Sequence, residues 1–88
     1  MEPPFECDPA KDAANRLKHG LSLSSFAGFD HPPLIRVDDR NDYGETRYRA
    51  FGKIGGMNCA LVFTQRDGVT RLISLRRAHR KEIERHDR

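Results

Sequence analysis

The sequence predicts an α+β domain: a small antiparallel four-stranded meander flanked by two N-terminal helices and one C-terminal helix. The first part of the chain contains residues that commonly begin and end helices, which predicts helices there. In the second part, two glycine-containing dipeptides, Gly55-Gly56 and Asp67-Gly68, separate runs of strand-forming residues, as in two-residue hairpins. A length of 88 residues suits one domain with a thin core, so residues 1–88 are assigned to a single domain.

The N-terminal part predicts two helices. Phe5-Glu6-Cys7 is a short segment that suits an edge strand. Asp8 is a helix N-cap residue and Pro9 favours the first helical position, so a helix is expected from about Pro9 to Lys18. The expected buried stripe of this helix is apolar and is formed by Ala10, Ala13, Ala14 and Leu17. A second short helix is expected from Ser22 to about Phe29.

The rest of the chain predicts the sheet and the closing helix. The expected elements are a strand at Leu34–Val37, a loop at Asp38–Gly44, strands at about Glu45–Ile54, Met57–Arg66 and Val69–Arg76, and a helix from about Ala78 to Asp87. The element order is therefore βααββββα if Phe5–Cys7 is counted as a strand.

Two-residue hairpin loops fix which residues lie opposite each other. Across Asp67-Gly68, Val62 is expected to face Ile73, and Ala60 to face Leu75. One sheet face then carries an apolar zone formed by Phe51, Ala60, Val62, Ile73 and Leu75. Arg76 is expected on the opposite, core-forming face.

Positive charge is concentrated in the second half of the chain. Residues 1–44 contain five Lys or Arg and eight Asp or Glu, whereas residues 45–88 contain eleven and five, so net charges of about −3 and +6 make up the total of +3. A cationic surface on ordered strands suits a polyanion such as RNA or DNA. The alternative is solvated charge and ordinary ion pairs, which for any single arginine is the commoner outcome.

Composition excludes several other classes. No apolar run approaches the length of a membrane span, and the N-terminus lacks the pattern of a signal peptide. Cys7 and Cys59 have no CxxC partner, which predicts reduced thiols and a cytoplasmic protein. The four histidines show no metal-ligand spacing, so no metal or other cofactor is expected.

Several sequence pieces together resemble the BrnT family of toxins from bacterial type II toxin–antitoxin systems. The matching pieces are F-E-C-D-P-A-K from Phe5 to Lys11, Asn15, K-H-G from Lys18 to Gly20, E-T-R from Glu45 to Arg47, Gly52, T-Q-R-D-G from Thr64 to Gly68, and R-L-I-S-L-R-R-A-H-R-K-E from Arg71 to Glu82. The chain departs from the family pattern at Cys7, where the family usually has Trp, and at His86, where it often has Tyr.

The resemblance implies a metal-independent endoribonuclease with a fold similar to RelE-like toxins, which inhibits translation by cutting RNA. It also implies a cognate antitoxin with a ribbon-helix-helix DNA-binding domain, in a complex of two toxins and two antitoxins that binds operator DNA only through the antitoxin. Phe26, Phe29, Leu34 and Ile35 suit either a patch facing the antitoxin or the core.

Arginine and histidine supply the groups that metal-independent RNA cleavage needs. Arginine stabilises phosphate charge because its guanidinium stays protonated and binds two oxygens. Histidine carries protons near neutral pH. The expected catalytic residues are Arg76, Arg77 and His19. Their alternative roles are an Arg77 ion pair with the closing helix and capping of the first helix by His19.

Five further basic residues are expected to bind RNA: Lys18, Arg47, Arg66, Arg71 and Arg80. For Arg47, Arg66 and Arg71 the alternative is an ion-pair cluster with nearby carboxylates. Two other classes of function also stay open: a non-enzymatic nucleic-acid-binding module and a module that only docks an antitoxin or another acidic protein.

Overall fold

The structure, a computed structural model, describes residues 1 and 3–86 of the chain, the side chains of 85 and 86 excepted. Its elements are β1 (Phe5–Cys7), α1 (Pro9–His19), β2 (Leu34–Asp38), β3 (Arg47–Ile54), β4 (Met57–Arg66), β5 (Val69–Arg77) and α2 (Arg80–His86). The five strands form one sheet in the order β1-β5-β4-β3-β2. The described helices are all too short or too polar to cross a membrane.

The predicted four-stranded antiparallel meander with three helices is wrong. The sheet has five strands and is mixed, because β1 pairs in parallel with β5, with Phe5 opposite Thr70 and Cys7 opposite Leu72. The described chain forms two helices, only one of them long. Both two-residue hairpins are confirmed, with Ile54 opposite Met57 and Arg66 opposite Val69.

The second predicted helix is replaced by an extended connection with one turn. The Phe26 N–H donates to the Leu23 carbonyl over 3.1 Å, and no regular helix follows. The Leu23 N–H instead donates to the Asp12 carboxylate over 2.7 Å, and Gly28 adopts a φ of 116°, which redirects the chain. Along this path the ring of Phe26 joins the buried core cluster and the ring of Phe29 packs against it.

Helix α1 has the expected ends, but the face that it buries is not the predicted one. The Asp8 side chain accepts a hydrogen bond from the Ala10 N–H over 2.8 Å, and Gly20 closes the helix with a φ of 71°. The expected apolar stripe faces solvent, and Leu17 is 91 % exposed. The buried face instead carries Asp12 and Asn15. These two side chains bind backbone groups that would otherwise be buried without partners, and this requirement overrides the apolar periodicity.

A β-bulge in the β4–β5 pair changes the predicted register. Phe63 lies opposite Leu72, but Val62 lies opposite Ser74, so Ile73 is the additional residue. The predicted pairs of Val62 with Ile73 and of Ala60 with Leu75 are therefore wrong. Beyond the bulge every side chain of β5 lies on the face opposite to the predicted one.

This exchange moves Leu75 and Arg76. Leu75 joins the core and is 5 % exposed, whereas Arg76 lies opposite Ala60 on the other face. Arg71 lies opposite Thr64, so Arg71 and Arg76 share a face, in contrast to the prediction from uninterrupted alternation.

One face of the sheet forms the core. Its buried side chains, together with those of the connection between α1 and β2, are Leu23, Phe26, Ala50, Cys59, Leu61, Phe63, Leu72 and Leu75. Cys7, one of the two departures from the family pattern, packs against this cluster. The opposite face carries Arg49, Val62, Ser74 and Arg76 along three neighbouring strands. We call it the outer face.

Candidate functional site

The outer face contains a cavity of about 170 Å³ with a mostly basic lining. Its lining residues are Lys18, His19, Arg40, Arg49, Ala60, Val62, Ser74 and Arg76. We call this cavity the basic cleft. Four of the eight residues are Lys or Arg, and none is Asp or Glu. Such a concentration of positive charge in a concave site attracts an anion.

Three separate parts of the chain position the basic cleft. Arg49 is held on β3 opposite Val62, and the bulge at Ile73 turns Arg76 to the same face. Helix α1 packs along β5 and is fixed there by Asn15, which binds the backbone of Leu75. Lys18 and His19 follow Asn15 by about one helical turn, and so they reach the rim of the cleft.

Arg76 is oriented by helix α2. Its guanidinium donates two hydrogen bonds to the Glu82 carboxylate, one of them over 3.0 Å from Nη1 to Oε2. This pairing raises the pKa of Arg76, so the guanidinium stays charged. A bidentate pair fixes the plane of the guanidinium, and the side chain remains partly exposed to the cleft.

Arg40 is held in the cleft by Asp38, the last residue of β2. Arg40 Nε donates to Asp38 Oδ1 over 2.7 Å, and Nη2 donates to Oδ2 over 2.8 Å. The Tyr43 hydroxyl also donates to Asp38 Oδ2, over 3.2 Å. These contacts lower the pKa of the buried Asp38 carboxyl to about 2, with the Arg40 hydrogen bonds as the largest cause. The predicted Asp38–Gly44 loop therefore begins with an anchored segment.

Arg49 has an unsatisfied donor. Its Nε atom is buried and has no hydrogen-bond partner among the described residues. The guanidinium carbon lies 5.8 Å from the centre of the Phe51 ring, a contact that supports the stem of the side chain. A buried donor without a partner is costly in a folded protein. The side chain also lines the cleft, where its positive charge would attract an anion.

His19 has the protonation behaviour of a base. Partial burial lowers its pKa, and the positive charges of Lys18 and Arg76 lower it further. The neutral imidazole therefore predominates at neutral pH, and a neutral imidazole accepts a proton. His19 also lines a neighbouring groove of about 210 Å³, which shares Lys18, His19 and Ser74 with the cleft and extends to Lys11.

The structure brings together three of the predicted site residues: His19, Lys18 and Arg76. Arg77 lies opposite Cys59 on the core-forming side of the sheet, so it points away from the cleft. Sequence reasoning missed Arg40 and Arg49. The signal for Arg49 was present, since the confirmed β3–β4 register places it opposite Val62 on the outer face. No local pattern marked Arg40.

The other predicted RNA-binding residues form ion pairs outside the cleft. Glu45 binds Arg47 over 3.2 Å and Arg66 over 2.7 Å. Arg71 Nη1 lies 3.0 Å from the Glu6 carboxylate, and Arg80 Nε lies 2.9 Å from that of Glu84. These contacts match the ion-pair alternative. The RNA-binding role of the four arginines stays a prediction.

In the part of the chain that the structure describes, no group of three or more His, Cys, Asp or Glu side chains is arranged to hold a metal ion. The cleft itself offers guanidinium and ammonium donors and one imidazole. This set can bind a phosphate diester, stabilise added negative charge on it and accept a proton next to it.

A scan against protein-family models matches residues 7–82 to the family described as ribonuclease toxin, BrnT, of type II toxin–antitoxin system. The match includes every residue of the basic cleft. The fold and cleft thus belong to a toxin that cuts RNA, and the chain is a member of the BrnT family of ribonuclease toxins. A search of curated proteins finds no match. Membership implies a cognate antitoxin as partner.

Proposed function

We propose that the basic cleft is where this toxin cuts RNA, without a metal ion, by attack of a ribose 2′-hydroxyl on the adjacent phosphate. The observation that carries this proposal is the meeting of His19, Arg49 and Arg76 in a single cavity. These residues are far apart in the sequence. Their convergence supports a site that combines a proton acceptor with guanidiniums able to bind phosphate.

His19 is the proposed general base. Because its pKa is lowered, it is ready to take the proton of the 2′-hydroxyl at neutral pH. The imidazolium formed in this way lies close to the phosphate whose negative charge is increasing, which stabilises both groups. As the 2′-oxygen bonds to phosphorus, the bond from phosphorus to the 5′-oxygen breaks, and the leaving 5′-oxygen takes a proton from solvent water, which leaves 2′,3′-cyclic phosphate and 5′-hydroxyl ends.

Arg76 and Arg49 are the proposed stabilisers of the pentacovalent phosphate. The Glu82 pair holds Arg76 in one orientation, so little reorganisation is needed when charge develops. Arg49 contributes a second guanidinium that lines the same cleft. Arg40 and Lys18 add charge at the rim and bind the flanking phosphates.

The RNA strand is proposed to continue along the groove beside α1. The groove and the cleft share Lys18, His19 and Ser74, and Lys11 lies at the far part of the groove. Arg47, Arg66, Arg71 and Arg80 remain proposed outer contacts, with RNA phosphate competing against their present carboxylate partners. Arg77 has no role in cleavage under this proposal, because its side chain is on the opposite side of the sheet.

The finer features of the partner are proposals that the family resemblance supports. We propose that the antitoxin has a ribbon-helix-helix domain, that two toxins bind one antitoxin dimer, and that operator DNA is contacted only by the antitoxin. We also propose a cytoplasmic location, where messenger RNA is accessible and translation is inhibited.

Growth arrest after induced expression tests this function. The native chain is expected to arrest growth, Arg76→Ala to abolish the arrest, and the adjacent Arg77→Ala to retain it. Glu82→Ala separates loss of the ion pair from loss of the cation: it leaves Arg76 charged but less well oriented, so arrest is expected to weaken without being abolished. The two arginine variants are compared at equal soluble protein levels and with the same circular dichroism spectrum. Equal effects of both on growth arrest would contradict the proposed site.

A further inference from the structure

The sheet ends in an open edge at β2. This strand pairs with β3 on one side, and the described part of the chain provides no strand for its other side. The backbone groups along such an edge form a template for another strand. Natural proteins usually protect edge strands with charges, prolines or bulges, and β2 has the first two in part, since it carries Arg36 and follows Pro32-Pro33. The five residues of β2 pair with β3 without any register shift.

The edge also carries exposed apolar side chains. Ile35 is 40 % exposed and Val37 is 57 % exposed, and both lie on the core-forming face of the sheet, opposite Ala50 and Tyr48. The Tyr48 ring stacks on Phe63, whose side chain is buried in the core. Ile35, Val37 and Tyr48 therefore form an apolar patch that continues the core out to the edge. A strand added along β2 would extend the sheet and cover this patch.

The other face of the same strand carries Leu34, Arg36 and Asp38, and because Asp38 is buried against Arg40, Arg36 is the exposed charge of this face. Arg36 lies between Ile35 and Val37, is exposed, and points to the outer face, opposite Arg49 of the cleft. Alternate side chains of an added strand would therefore meet two different environments. One set would contact Ile35 and Val37, and the other set would lie beside Arg36. Complementarity requires apolar residues in the first set and acidic residues in the second.

We propose that the outer edge of β2 binds an extended segment of the cognate antitoxin, in which apolar and acidic residues alternate, by strand addition to the sheet. The identity of this partner rests on the proposed function. The added strand would lie one strand spacing from β2 and two from β3, that is, about 10 Å from the backbone of Arg49. An acidic side chain on its outer face would then compete with RNA phosphate for Arg36 and Arg49, which links binding to neutralisation.

A second copy of the chain fits this edge less well. The symmetric antiparallel pairing that puts Ile35 of each copy opposite Val37 of the other is centred on Arg36. It places the two Arg36 side chains directly opposite each other, and like charges at that position are unfavourable. The charge of the edge therefore favours an acidic partner over self-association.

Neutralisation by the antitoxin encoded beside the toxin gene tests the inference. Val37→Lys places a charge in the apolar patch without touching the cleft, and Leu17→Lys changes an equally apolar, exposed residue on α1 as the matched control. We expect Val37→Lys to cut RNA like the native toxin, to bind the antitoxin at least about tenfold more weakly and to escape neutralisation. Leu17→Lys is expected to bind and be neutralised like the native chain.

Hydrogen exchange of the native complex adds a direct readout. Antitoxin binding is expected to protect those backbone amides of Leu34–Asp38 that point away from β3. Native-like affinity of Val37→Lys, or absence of new protection in β2, would overturn the docking site and leave the proposed function intact. A native chain that cuts no RNA and does not bind the antitoxin would overturn the proposed function, and the inference with it.

Discussion

Asn15 binds both backbone polar groups of Leu75 at the edge of β5 that β1 does not reach. The Leu75 N–H donates to Asn15 Oδ1 over 2.9 Å, and Asn15 Nδ2 donates to the Leu75 carbonyl over 3.0 Å. Nδ2 also donates to the Leu21 carbonyl over 2.7 Å. The side-chain amide thus pairs with β5 as one residue of a neighbouring strand would. It does so three residues beyond Leu72, where the pairing of β5 with β1 ends. The contact fixes α1 on the sheet and so brings Lys18 and His19 to the cleft.

Replacing Asn15 is therefore expected to destabilise the protein. Asn15→Ala leaves buried donors and acceptors without partners, and we expect a loss of about 2–3 kcal/mol in the free energy of unfolding, measured with urea. Asn15→Asp has nearly the same shape but cannot donate a hydrogen bond when ionised, so it is expected to lose at least as much. A neutral effect of Asn15→Asp would show that Asn15 only fills space.

The Asp38–Arg40 pair predicts an acid-sensitive contribution to stability. The pKa of Asp38 is lowered on folding to about 2, so its stabilising effect is present above the unfolded pKa and is lost as the pH falls toward 2. The Asp38 side chain is 1 % exposed, and the shift corresponds to about 2 kcal/mol at neutral pH. Asp38→Asn is expected to lose this amount at pH 7 and to match the native chain near pH 2 in urea unfolding. A constant difference across that range would contradict the pairing.

Gly52 is expected to tolerate no side chain. A Cβ atom at this position would lie 2.8 Å from Cδ1 of Phe29, which packs directly on the strand. Gly52→Ala must therefore displace the Phe29 ring, and with it the connection between α1 and β2. We expect a loss of about 1–3 kcal/mol in thermal or urea unfolding. The double variant Gly52→Ala, Phe29→Ala should lose less than the sum of the single variants, and strict additivity would contradict the contact.

The pH dependence of cleavage tests the role of His19. A general base must be deprotonated, so kcat/KM is expected to rise with pH and then reach a plateau. The midpoint of the rise is expected below the ordinary histidine pKa of about 6.5. Lys18 contributes to the lowered pKa, so Lys18→Met should move the midpoint upward, toward the ordinary value. Cleavage that falls as pH rises through this range would assign His19 a different role.

Local signals in the sequence predicted the ends of α1 and the two hairpins because those features depend on neighbouring residues. Asp8 and Gly20 act within one helical turn, and Asp67-Gly68 sets its own turn, with φ of 52° and 79°. The bulge at Ile73 gives no such signal. It lets Leu75 enter the core and turns Arg76 outward, and both outcomes depend on contacts with β4 and α1.

The candidate site was accordingly predicted in part. Arg76, His19 and Lys18 were found from residue chemistry and from the family resemblance, but their convergence depends on Asn15 and the bulge, which are tertiary features. The apolar stripe of α1 was misleading, since the buried side of this helix binds backbone with Asp12 and Asn15. His86, named for its departure from the family pattern, has a side chain outside the described part of the chain.

RNA cleavage by purified Arg49→Met is the most direct test of the basic cleft. Met keeps most of the apolar stem and removes the guanidinium, and Arg66→Met makes the same change at an ion-paired arginine outside the cleft. In the presence of EDTA, the native chain is expected to yield products with 2′,3′-cyclic phosphate and 5′-hydroxyl ends. Arg49→Met should lower kcat by about 100-fold or more, and Arg66→Met by far less. Cleavage that EDTA abolishes, or equal losses in the two variants, would contradict the account.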